Sequence, residues 1–503
     1  MRIAARSLVT LVSASALAAC SFAPKYVRPA TPVPPSWPTG DAYLRQTEAP
    51  LPSVTYRDVF RDARLQKVID QALANNRDLR VSIANIQAAR AQYRIQRAEL
   101  FPQLDANAGY SYRKSGSGAS GTSTGGTGGT GNGSGGSSGG TSSFSANIGI
   151  TSFEIDLFGR VRSLTDASLA RYFGQEAAAR ATRLTLVGDV ATAWLAYAAD
   201  RSLLTVAQDT VAIAERSTAL TDARLRGGIA PRTDLRQAQQ VLETARADVA
   251  SQQAALAQDV NALQLLVGAP VDAALLPASI EDAQKDIAEL PAGLDSGILL
   301  RRPDVVQAEY ELRATNAEIG AARAAMFPRI TLTGLVGFAS SALRTLFADG
   351  AFNYSVAPSA TYPIFQAGAA RAGVEYSQAQ RDAALATYEK AIQTAFREVS
   401  DALATRGTVT DQLAANRRFE AAAVDTFNLA NARYRGGVDT FLASLDAQRS
   451  LYSAQRTVVT TELTRATNLV TLYRTLGGDS LLATTDRGPV SAPASAAQQV
   501  PQQ

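Results

Sequence analysis

The sequence predicts a mainly α-helical chain with a transmembrane β-barrel portion, made of two structural repeats that each hold a β-hairpin and long coiled-coil helices. Three observations predict it. The turn Arg226-Gly227-Gly228 recurs as Arg435-Gly436-Gly437, each time after a long Ala-rich helical run. Between helical stretches the apolar period changes from about 3.6 residues to 2. The chain also opens with an export signal that ends at its only cysteine, Cys20. Repetition on this scale constrains architecture before any local motif does.

At the N-terminus, Arg2 and Arg6 precede an apolar stretch from Leu8 to Leu17, and Leu17-Ala18-Ala19 precedes Cys20. A charged region, a short apolar core and small residues at the cut are the parts of a signal peptide, here residues 1–19, too short to span a membrane as a mature helix. Pro24, Pro29, Pro32, Pro34, Pro35 and Pro38 then mark residues 20–60 as an extended spacer. The chain has 49 basic and 45 acidic residues, and Arg2 and Arg6 leave with the signal. The mature protein therefore carries no basic field for nucleic acid. Histidine is absent, which removes the usual zinc ligands and nucleophile partners; no catalytic set, metal or soluble cofactor is expected.

Residues 61–267 form the first repeat. A helical pattern from Asp78 to Glu99 stops at Phe101-Pro102, and alternation follows: Leu104, Ala106, Ala108, Tyr110 and Tyr112 against Asp105, Asn107, Gly109, Ser111 and Arg113. Phe144, Ala146, Ile148 and Ile150 alternate in the same way on the way back, giving a hairpin over about 103–157. Residues 115–143 interleave Gly with Ser and Thr and are expected to be a flexible loop. A long helical run from about Val161 to Leu225 follows, in which Leu184, Val187, Ala191, Trp194 and Ala198 keep a three-four spacing. About 65 helical residues extend roughly 100 Å, several times a bilayer's thickness. The tip falls at 226–233, and a second helix returns from Thr233 to Leu266.

Residues 268–302, with Pro270, Pro277 and Pro291, are a connector of short irregular structure. The second repeat, 303–478, runs in the same order: a helix from Asp304 to Ala325, the stop Phe327-Pro328, a hairpin over about 329–364, a long helix, the tip at 435–440 and a returning helix. Residues 479–503, rich in Ala, Pro, Ser and Gln, are expected to be a disordered tail. Strands of ~10 residues with one apolar face suit an outer-membrane barrel wall. Single-chain barrels begin at about eight strands and no open edge is tolerated in hydrocarbon, so four membrane strands require several chains to share one barrel.

Four stretches stand out: Leu17-Ala18-Ala19-Cys20, Pro24-Lys25-Tyr26-Val27-Arg28-Pro29, Leu299-Leu300-Arg301-Arg302-Pro303-Asp304-Val305, and Gly437-Val438-Asp439 with Leu445-Asp446-Ala447-Gln448-Arg449-Ser450-Leu451. With these strings the chain resembles the outer-membrane factor family, the TolC and OprM type of efflux channel, and within it the lipoprotein branch. The resemblance implies a homotrimer whose twelve strands close one outer-membrane barrel above a periplasmic helical tube. It implies that Cys20 carries a diacylglycerol and an N-acyl chain and anchors the protein to outer-membrane lipid. It places Arg226, Gly227, Gly228, Arg435, Gly436 and Gly437 where a periplasmic adaptor docks, with an inner-membrane transporter of the resistance-nodulation-division type beyond it. Thr233, Asp234, Tyr434 and Asp446 match positions of the TolC-type periplasmic gate. Asp439 stands where TolC has an arginine, and Ala443 replaces one acidic ring position, so the gate chemistry departs from TolC.

The expected function is a passive outer-membrane conduit of a tripartite efflux system, serving small toxic compounds. The same channel type would also serve protein secretion, and a structural coiled-coil lipoprotein is the alternative of another class.

Overall fold

A computed structural model describes residues 22–43, 55–114, 141–289 and 296–491. Cys20, the signal segment and most of the Gly/Ser-rich loop lie outside the described residues. In chain order the helices and strands are α1 (Tyr56–Val59), α2 (Ala63–Asn75), α3 (Arg77–Ala98), β1 (Asp105–Arg113), β2 (Thr141–Glu154), α4 (Arg160–Arg226), α5 (Arg232–Val267), α6 (Ile280–Gln284), α7 (Pro303–Ala324), β3 (Arg329–Ser340), β4 (Phe352–Thr361), α8 (Ala369–Arg435), α9 (Phe441–Thr475), β5 (Leu482–Ala483) and β6 (Val490–Ser491). The helices α4 and α8 are 67 residues each. Among the described residues, no helix is long and apolar enough to cross a membrane. The chain divides into two compact units, one of residues 1–27, 90–169 and 313–382, the other of residues 28–89, 170–312 and 383–503.

The first unit holds an antiparallel sheet in the order β1-β2-β3-β4. Its register brings the apolar residues of all four strands onto one face: Ala106 pairs with Ile148, Tyr110 with Phe144, Ile148 with Val336, and Val336 with Tyr354. That face is open within the chain, with Tyr354 75% and Val356 69% exposed. The opposite face carries polar groups; Thr151 donates to Asp105 at 2.9 Å and Thr333 donates to the Thr151 carbonyl at 3.0 Å. A shift in register between Ile150 and Phe153 bends β2 near its end. There Arg160 and Arg329 both reach Glu154, at 2.8 and 2.6 Å. Among the described residues β1 and β4 each pair on one side only.

The proline-rich N-terminal stretch, expected as an extended spacer, is bound to the rest of the chain where it is described. Proline has no backbone N–H to donate to a ladder, and here side chains satisfy carbonyls of the stretch. In the first unit Asn316 donates to the Pro24 carbonyl at 2.7 Å, Arg323 to that of Phe22 at 3.2 Å, and the Phe22 ring stacks on Phe327 at 4.7 Å. Gly320 is small because Ala23 passes over it: a Cβ there would lie 2.7 Å from the Ala23 nitrogen. In the second unit Arg28 grips the fully buried Glu309 at 2.6 Å, Ser296 donates to the Pro34 carbonyl at 2.9 Å, and Trp37 stacks on Phe396 at 5.0 Å. The stretch is a strap bound along its length.

Around the long helices of the second unit, Trp194, Tyr310, Tyr388 and Tyr473 are the largest fully buried side chains. Arg302, from the Leu299–Val305 string, donates to the Thr475 carbonyl at the end of α9 and pairs with Asp304 and Glu398 at 2.7 and 2.9 Å. It thereby caps a helix end and neutralises two carboxylates from one buried position. The fold also runs further than expected. Residues 479–491, read above as part of a disordered tail, are packed: Asp479 pairs with Arg183 at 2.7 Å, Leu482 is fully buried with Val306 and Tyr310, and β5 pairs with β6. Leu481 and Leu482 are buried and supply the apolar surface that docks this segment, a signal submerged in the average composition of the tail.

Candidate functional site

Both glycine turns close their helices in the same way. At the end of α4 the Gly228 amide donates to the Leu225 carbonyl at 3.0 Å and the Ile229 amide to Arg224 at 2.9 Å. At the end of α8 the Gly437 amide donates to Tyr434 and the Val438 amide to Arg433, both at 3.0 Å. Gly228 and Gly437 have φ of 73° and 75°, the left-handed cap that closes a helix with paired backward bonds. The second turn segment then starts a new helix: Pro231 precedes α5 and Thr440 precedes α9. Gly227 and Gly436 sit in ordinary backbone, where a Cβ would meet its nearest atom at 3.5 Å. Only one glycine of each pair is required by conformation.

The tip arginines face water. Arg226 pairs with Asp222 one turn back at 2.8 Å, and Arg435 lines a cavity of about 500 Å³ with Leu220, Phe427 and Ser444. Both side chains are exposed.

The gate positions implied by the family pattern separate in the structure. Tyr434 is 4% exposed and packs with Ala238, Phe441 and Leu445. Its ring lies 5.4 Å from that of Phe441. Thr221 donates its proton to the Ser217 carbonyl at 2.8 Å, so the Tyr434 hydroxyl is the donor in its 3.3 Å contact with Thr221. Asp439 accepts from Arg433 at 2.7 Å. Thr233 and Asp446 are exposed and Asp234 is half-buried in the first turn of α5. Among the described residues, the polar side chains that meet Tyr434 are Thr221 and Arg224, neither of which the family pattern singles out. The repeated Arg224 and Arg433, together with the break in repetition at Leu225 and Tyr434, was the available signal.

Further from the tip, α4, α5 and α9 enclose a cavity of about 630 Å³ bordered by Thr210, Val241, Ala245, Asp248 and Tyr452. Tyr452 donates to Asp248 at 2.7 Å. Burial, reinforced by that carboxylate, pushes the Tyr452 hydroxyl up to about 12. Among the described residues, no group of three or more Cys, His, Asp or Glu side chains could hold a metal ion.

A duplicated pair of capped helical hairpins, joined to a sheet with one apolar face, defines an outer-membrane channel subunit. Residues 68–269 and 295–478 match the family described as outer membrane efflux protein, and the chain belongs to that family. It is 43% identical over 476 residues to the toluene efflux pump outer membrane protein TtgC of Pseudomonas putida, covering 94% of this chain and 96% of that one. With the outer membrane protein OprJ of Pseudomonas aeruginosa it shares 41% over 478 residues, 95% of this chain and 97% of that one. The crystal structure of the open state of the Neisseria gonorrhoeae MtrE outer membrane channel superposes with a TM-score of 0.78 at 36% identity, covering 92% of this chain and 98% of that one. The protein is the outer-membrane channel component of a tripartite efflux system of a Gram-negative bacterium, and it extends into the periplasm.

Proposed function

We propose that three copies of this chain form a passive duct for small apolar compounds, among them aromatic solvents and drugs, which leave chemically unchanged. The observation that carries it is the sheet: four strands, one continuous apolar face, and outer edges on β1 and β4 that are unpaired among the described residues. Backbone groups on such edges find partners in lipid only from neighbouring chains. The relatives favour small molecules as cargo, since one is named for toluene efflux and another for antibiotic efflux.

In this reading an adaptor docks at Arg226, Gly227, Gly228, Arg435, Gly436 and Gly437, and a proton-driven inner-membrane pump of the resistance-nodulation-division type delivers the cargo. Thr233, Asp234, Tyr434, Asp439 and Asp446 border the aperture that the tips enclose. Cys20 carries the acyl chains that tie the first mature residue to the membrane. The test is complementation of a strain that lacks its own outer-membrane duct but keeps a cognate adaptor and pump. Expression should restore growth in toluene and with apolar antibiotics, and labelled palmitate should enter the wild-type chain but not Cys20→Ala. Restored export of a polypeptide without any change in solvent tolerance would overturn the small-molecule reading.

A further inference from the structure

The two tips repeat each other in sequence but differ in what they hold. Arg224 and Arg433 occupy equivalent places just before the glycines. Arg224, on the first hairpin, donates through Nη1 to the Tyr434 carbonyl on the second at 2.8 Å, and its guanidinium carbon lies 4.5 Å from the centre of the Tyr434 ring. The same carbonyl receives the Gly437 amide, so Arg224 adds a second bond to the cap that ends α8. Tyr434 and Thr221 are both buried. In such surroundings a cation over an aromatic face, and a hydrogen bond to charge, count for more than at an exposed site.

Arg433 does none of this. Its Nε is bound to Asp439 at 2.7 Å, and its side chain is 58% exposed. The repeat-equivalents of Tyr434, Thr221 and Asp439 are Leu225, Ala430 and Ala230. The aromatic ring, the hydroxyl partner and the free arginine that make the contact are thus present in one combination only.

We propose that Arg224 is the latch of the periplasmic tip, a positioning residue that draws the second hairpin's tip against the first and narrows the aperture. Arg433 is the copy that Asp439 has taken out of that role. This deepens the duct reading and rests on it.

The test uses the full-length protein in planar bilayers, with trimer integrity checked by mobility on unboiled gels. Arg224→Ala should raise the open-to-closed ratio by about thirtyfold or more, the combined weight of one charge-assisted hydrogen bond and one cation–π contact. Arg224→Lys keeps the charge but loses the flat fork that bonds and stacks together, and should recover only part of the closure. Arg433→Ala should conduct like wild type. An unchanged Arg224→Ala channel, or an equal rise in Arg433→Ala, overturns the latch while leaving the duct intact. If neither wild type nor any variant conducts, the duct reading falls and the latch falls with it.

Discussion

Gly228 and Gly227 are neighbours with different obligations. At φ 73° Gly228 holds a conformation that a Cβ makes costly, whereas Gly227 does not. Gly228→Ala should lower stability by about 1–2 kcal/mol and Gly227→Ala by well under 1 kcal/mol. Thermal melts of the two variants in the same detergent check this, and equal losses would refute the division of labour. The turn itself was legible in the sequence because a doubled Arg-Gly-Gly after helical periodicity has few other meanings. The partner of Tyr434 was not legible. Arg224 lies 210 residues away and meets it across two different hairpins, and nothing local in either segment records that meeting. The family pattern supplied a plausible set of gate positions, but the side chains that touch Tyr434 in this chain depend on packing between Leu220, Val241 and Phe441.

At the scale of the helical hairpin, the two repeats differ in how they fill equivalent polar positions. Asn468 on α9 donates its amide to the Ala402 carbonyl at 2.9 Å, and the equivalent position on α5 is Asp259. The Asp259 Oδ2 is buried without a partner. Burial first, then the charge of Asp200, push Asp259 from its ordinary 3.8 up to about 6. The folded state therefore keeps this proton when the unfolded chain has lost it. Its contribution to stability is present below about pH 4, declines as pH rises to about 6, and is flat above. Asp259→Asn should remove that slope, measured as melting temperature against pH, and should raise stability at pH 7.5. A wild-type protein with no slope across this range, or a variant that retains it, would contradict the assignment. The helices' extent could be read from the three-four spacing, but which carboxylate would be short of a partner could not, because that depends on the facing helix.

For the molecule as a whole, the ends do more than the sequence suggested. A chain ended at Gly478 loses the Asp479 pair with Arg183 and the burial of Leu482 against Val306 and Tyr310. Loss of one fully buried leucine alone costs about 2–5 kcal/mol. Truncation after Gly478 should therefore melt well below truncation after Ser491, and identical melts would return residues 479–491 to the status of a passive tail. Composition misled here because the apolar residues of 479–491 are few and are followed by Ala, Ser and Gln. The alternating strands, by contrast, were readable in place and in facing, since the side-chain period is 2, although β2 begins at Thr141, inside the stretch read as loop, and runs on to Glu154.

The N-terminal strap also orders events in time. Pro24 meets Asn316 across 292 positions, Arg28 meets Glu309 across 281 and Pro34 meets Ser296 across 262. Contacts between positions so far apart form late, because a long loop must close before they return anything. The residues that reach the periplasm first must wait there for partners that emerge much later. Until α7 and Phe327 have arrived, Arg28 has no Glu309 to pair with and Phe22 has no Phe327 to stack on. The strap thus seats in stages, closed only once α7 and then Phe396 of α8 have been delivered.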